Sequence, residues 1–167
     1  MGLFDFFKGQ KNEETHNDPV TNEKSDQITI QYETKLTARE LKADKTQITE
    51  IVDKMVEEDP FKHYYKGKTL EDMTPLAQRL YKYEAITTVN VDFHTKEKDR
   101  ILVVVEGKPV GFIPEDKART IQENQSRFLL TAFVYVTGGP YIEYDKEQDK
   151  PVAGESPLGL DIFIQFT

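Results

Sequence analysis

The sequence predicts an α+β chain that is mostly β, a small barrel or sandwich with two short helices, behind a strand–helix extension and a disordered amino-terminal tail. Three observations lead there. Apolar residues alternate with polar ones in several short runs bounded by Gly, Pro and Asp, as half-buried strands require. Residues 46–57 instead carry a helical stripe of Ile48, Ile51, Val52, Met55 and Val56. Residues 8–27 hold a single hydrophobic residue, Val20, too few to offset the conformational entropy of folding.

Residues 1–7 (MGLFDFF) are apolar, so the tail reads as a sticky tip on a tether. In a helix, Leu3, Phe4 and Phe7 share one face, suited to docking on a membrane surface or a partner groove. Folding back onto the chain's own domain, or fraying, is the other reading. Order is expected from Ile28, where Ile28, Ile30 and Tyr32 alternate with polar residues as a strand. Thr37 and Glu40 then stand in capping-box spacing and predict a helix start, with Asp44 able to cap a second helix. Asp59-Pro60 ends it. This makes residues 1–27 a tail, 28–60 an extension and 61–167 the main domain.

Within that domain, Thr74-Pro75 predicts a short helix with Leu76, Leu80 and Tyr83 on one face. Val89, Val91 and Phe93 alternate as a strand, and residues 101–105, apolar on both faces, predict a central one. Glu106-Gly107-Lys108 connects it tightly to 109–113, which predicts a hairpin. Pro114-Glu115-Asp116 opens a helix with Ala118 and Ile121 inward, its acids at the positive end of the dipole. Residues 128–136 form a strand closed by a turn at Gly138-Gly139-Pro140, 141–144 a short strand, and 145–157 a polar loop. Leu158, Leu160, Ile162, Ile164 and Phe166 alternate in a final strand.

Several function classes recede on composition. The chain has no Cys, which removes disulfides, thiolate metal sites and Cys nucleophiles. No run approaches the ~18 apolar residues of a membrane span, and no basic segment precedes an apolar one as in a secretory signal, so a cytoplasmic location is expected. The three histidines, His16, His63 and His94, have no metal-ligand spacing, and no phosphate-binding glycine motif occurs. The chain therefore reads as no enzyme, without cofactor or metal. Net charge is −8, but residues 61–144 carry 12 basic and 11 acidic residues, so local patches decide what is bound.

One segment interleaves aromatics with cations: Phe61-Lys62-His63-Tyr64-Tyr65-Lys66-Gly67-Lys68. Such a run suits unpaired nucleic acid, with rings stacking on bases at ~1–3 kcal/mol each and lysines meeting phosphates. The plainer reading is a strand whose alternate aromatics enter the core. His63-Tyr64-Tyr65-Lys66-Gly67, followed by a strand and by Gly107-Lys108-Pro109-Val110-Gly111-Phe112-Ile113-Pro114 with its helix, resembles the HIRAN domain over residues 61–166. The resemblance implies a small OB-like or SH3-like β-barrel, and binding of single-stranded DNA ends in some members. Where that family has N-P-Y-D-x-N-A, this chain reads His94-Thr95-Lys96-Glu97-Lys98-Asp99-Arg100.

Two functions follow as expectations. The first is a noncatalytic module for single-stranded nucleic acid or its ends, with Tyr64 and Tyr65 stacking bases and Lys62, His63, Lys66, Lys68, Arg100 and Phe112 completing the contact surface. The second is a protein-interaction module that uses the barrel and the tip at Leu3, Phe4 and Phe7, without nucleic acid.

Overall fold

The alternation around Ile162 organises the molecule. In the computed structural model, which describes residues 28–167, it belongs to the longest strand, β8 (Lys150–Phe166). One edge of β8 pairs antiparallel with β1 (Tyr32–Thr37), setting Tyr32 opposite Phe166 and Thr37 opposite Asp161. The other pairs with β7 (Leu130–Asp145). Two short strands lie along the far side of β7: β2 (Leu80–Tyr81) beside Ile142 and Tyr141, and β3 (Thr87–Thr88) beside Tyr135 and Val134. The result is one five-stranded antiparallel sheet. A second sheet orders β4 (Val91–Thr95), β5 (Ile101–Val105) and β6 (Lys108–Phe112). The expected OB-like or SH3-like barrel differs from this arrangement, because no closed barrel is detected among the described residues.

Two helices complete the α+β architecture. Helix α1 (Lys45–Glu58) starts at Asp44, whose carboxylate accepts from the Gln47 N–H at 2.8 Å while the Gln47 side chain returns to the Asp44 N–H. Its apolar stripe is inward: Ile48, Ile51, Val52 and Met55 are buried. Helix α2 (Glu115–Gln125) buries Ala118 and Ile121, as its pattern predicted. One buried cluster joins both sheets and both helices, with Leu36 from β1, Val103 from β5, Val110 from β6, Val134 from β7 and Ile162, Ile164 and Phe166 from β8. Helix α1 packs on β6 and β8, and so ties the two sheets together. Residues between Leu36 and Met55 thus contribute to the same core.

The β5–β6 hairpin forms as expected, with Glu106 and Gly107 at positive φ (51° and 74°), the twist that suits a two-residue turn. Elsewhere tertiary pairing overrode local signals. The first strand starts at Tyr32 rather than Ile28, because β8 ends at Phe166 and offers nothing to pair with further back; Ile28 is 80% exposed. Thr37 and Glu40 do form their capping hydrogen bonds, but around a turn that left-handed Lys42 (φ 58°) closes before any helix forms. No helix follows Thr74-Pro75. A single turn bonds the Ala77 N–H to the Thr74 carbonyl, Leu76 is 95% exposed, and Leu80 is drawn into pairing with Ile142.

The largest correction concerns Gly138-Gly139-Pro140. It is a bulge inside continuous β7, where the register slips between Thr137 and Gly139, and the hairpin turn lies beyond Asp145. Gly138 (φ 64°) approaches the opposite strand so closely that a Cβ would sit 2.0 Å from the Pro157 carbonyl oxygen. The expected polar loop 145–157 is mostly strand for the same reason. Its turn is held by the Asp145 carboxylate, which accepts from the Glu147 and Gln148 N–H groups at 2.8 and 3.1 Å. The tail and its residues Leu3, Phe4 and Phe7 lie outside the described residues.

Candidate functional site

The segment 61–68 is not a strand. The Asp59 carboxylate accepts from the backbone N–H groups of Phe61 (2.9 Å) and Lys62 (2.7 Å), which turns the chain and holds that acid below the usual carboxylate range. A tight turn over Tyr64–Gly67 follows, with Tyr65 and Lys66 left-handed. Tyr64 is half-buried and stands edge-on to Tyr83 (centroids 6.0 Å apart), with the Lys82 ammonium 4.9 Å from its ring. Its ring is therefore already engaged in packing. Tyr65 is half-buried, and its N–H donates to the Lys82 carbonyl at 3.1 Å.

The lysines of this segment differ in their commitments. Lys62 donates to the Asp59 carbonyl at 3.0 Å, and Lys66 pairs with Glu84 at 3.1 Å. Lys68 is exposed, as are Phe61 and His63, whose rings lean together at 5.7 Å. The segment thus offers a few exposed groups around a packed tyrosine.

Arg100 and Phe112 lie elsewhere, at a cleft of about 890 Å³ that no residue of 61–68 lines. Three pieces of chain converge there: the turn after β1 at Glu40, Leu41 and Lys42, the β4–β5 connection at Lys98, Asp99 and Arg100, and the passage from β6 into α2. Gly111 makes the convergence possible. A Cβ on it would fall 1.9 Å from the Leu41 carbonyl oxygen, so only glycine lets the hairpin lie against that turn. The Gln122 amide donates to the Asp99 carbonyl at 2.7 Å and ties the β4–β5 connection to α2.

The charges of this cleft are unevenly paired. Glu40 is taken up by Lys117 at 2.6 Å, and that ammonium, with the Thr37 N–H, holds the Glu40 carboxyl below the usual range. Arg119 and Glu115 approach only to 3.8 Å on a fully wet helix face, a pairing worth almost nothing. Among the described residues, Lys42, Lys98 and Arg100 make no ion pair. Arg100 instead lays its guanidinium over the Phe112 ring, with Cζ 3.8 Å from the centroid. Lys42, Lys98 and Asp99 all line the cleft with positive φ (58°, 60° and 59°). Such backbone costs of order 1–3 kcal/mol per residue and clusters at functional sites.

Reasoning from sequence reached Arg100 and Phe112 but missed Lys42 and Lys98. The first stood inside an expected helix, and the second in a loop read only as a departure from a family pattern. Among the described residues, no group of three or more His, Asp or Glu side chains could hold a metal ion. No described helix is long and apolar enough to cross a membrane. Neither a family model, nor a curated protein, nor a solved structure matches this chain.

Proposed function

We propose that the chain is a noncatalytic binding module whose cleft receives an unpaired nucleic-acid strand. The observation that carries this reading is the Arg100 guanidinium over the Phe112 ring, at a cleft where Lys42 and Lys98 have no carboxylate partner among the described residues. A base stacks on a guanidinium or an aromatic face whatever its identity, and uncommitted cations next to that face meet its phosphates. The kinship with HIRAN domains belongs to the same proposal. Its support is that Val110, Gly111, Phe112, Ile113 and Pro114, the stretch that carries the resemblance, line this cleft. Phe61, His63 and Lys68 would extend the contact surface only where a strand runs past the cleft. A cytoplasmic location fits a chain without Cys.

Fluorescence anisotropy with labelled single-stranded and duplex DNA tests the proposal. Single strands should bind in preference to duplex. With about three phosphate contacts, affinity should fall roughly 20-fold between 50 and 200 mM salt. Arg100→Ala should weaken binding about tenfold or more, as the loss of one stacked base implies. No binding at tens of micromolar in low salt would overturn the reading and leave a protein-interaction module as its successor.

A further inference from the structure

The five-stranded sheet has a second face. Its inner face buries Val134, Ile162 and Ile164, and strict alternation should leave the outer face polar. Instead Phe133, Tyr135 and Phe163 form the floor of a shallow groove of about 700 Å³, rimmed by Glu33, Asp161 and Gln165. Tyr135 meets Phe163 edge-on at 5.5 Å and is 40% exposed, while Phe133 and Phe163 are half-buried. The rim is braced from β1, where Lys35 pairs with Asp161 at 3.3 Å and the Gln165 amide donates to Glu33. Val89, just past β3, is 72% exposed. Three adjacent aromatics on a solvent face of an acidic chain mark a surface made to be covered.

The geometry points to the chain's own amino-terminal segment, residues 3–7, as the cover. Strand β1 borders the groove through Glu33, and the described residues begin at Ile28, only five positions earlier. Twenty-seven residues precede that point, and their bulky apolar side chains are concentrated at Leu3, Phe4, Phe6 and Phe7. A flexible tether of twenty residues would span roughly 25 Å r.m.s., and residues 28–33 add about 17 Å when extended. A tether of that length would hold the tip near the groove at an effective concentration in the millimolar range. This inference is independent of the nucleic-acid reading, because the groove and the cleft share no residue.

The absence of Cys makes the test clean. A nitroxide on Lys8→Cys in the ¹⁵N-labelled full chain should broaden the amides of Phe133, Tyr135, Asp161 and Phe163 while sparing those of β5. Adding Leu3→Ser, Phe4→Ser and Phe7→Ser should reduce that broadening at least threefold, and Phe163→Ser should do the same from the groove side. Broadening unchanged by either set would overturn the proposal. So would broadening that arises when spin-labelled unlabelled-nitrogen protein is mixed with label-free ¹⁵N protein, which would assign the groove to a second copy.

Discussion

The β7–β8 hairpin is one structure held in two different ways. Its first half, up to the bulge at Gly138, presents Ala132, Val134 and Val136 with Leu160, Ile162, Ile164 and Phe166 to the main core, all at or below 8% exposure. Its second half belongs to no such cluster. There Ile142 is buried, as is Met73 from the segment that crosses it, but neither joins the main core. Directional contacts take over. Arg79 donates to Glu143 at 2.8 Å and lies 4.0 Å from the Tyr141 ring, and Tyr81 meets Tyr141 edge-on at 5.7 Å. Tyr141 covers Gly154 on the facing strand, where a Cβ would come within 2.4 Å of its ring. The same pair of strands is thus stabilised by apolar area at one end and by geometry at the other.

The comparison can be broken most forcefully at the apolar end. Ile162→Ala should lower stability by about 3–5 kcal/mol, since the site is fully enclosed and cannot collapse around the cavity. Chemical denaturation would show this as a lower midpoint with an unchanged slope. Gly138→Ala comes next, at ~2 kcal/mol or more, because it adds a left-handed Ala to an overlap with the Pro157 backbone. Circular dichroism melts would read that loss. Arg79→Ala should have the smallest effect on stability, since it removes a part-exposed ion pair and one cation–π contact. Its signature is local. Amide exchange should quicken in 139–145 and 150–156 and stay unchanged in 130–136, and uniform quickening would mean the halves are not separately held.

How much of this could be read from the residues follows the same division. The core strand 101–105, the hairpin turn at Glu106-Gly107, the helical stripe of 46–57, the helix after Pro114 and the alternation at Ile162 carry their own local signals, and each formed where expected. In the distal hairpin only 141–144 was legible as a strand. Residues 150–157 lack alternation, and positive-φ glycines serve a bulge as well as a turn. Leu80 was misplaced because two residues of pairing with Ile142 and Tyr141 outweigh a three-residue helical stripe. The cleft was half legible. Arg100 and Phe112 could be nominated singly, but nothing local brings the turn at Lys42 next to the one at Lys98. That juxtaposition depends on Gly111 meeting the Leu41 backbone.

The register between β1 and β8 sets an order of events in synthesis. The Lys35–Asp161 ion pair, diagonal across the two strands, joins residues 126 positions apart in the chain. At ~5–20 residues per second, β1 is made roughly 6–25 s before β8, its partner strand among the described residues. Through that interval Leu36 has no β8 to pair with, and the apolar stripe of α1 meets β6 before it meets β8. The first strand among the described residues thus completes its pairing only when the last one arrives, and Leu36 stays unburied until then.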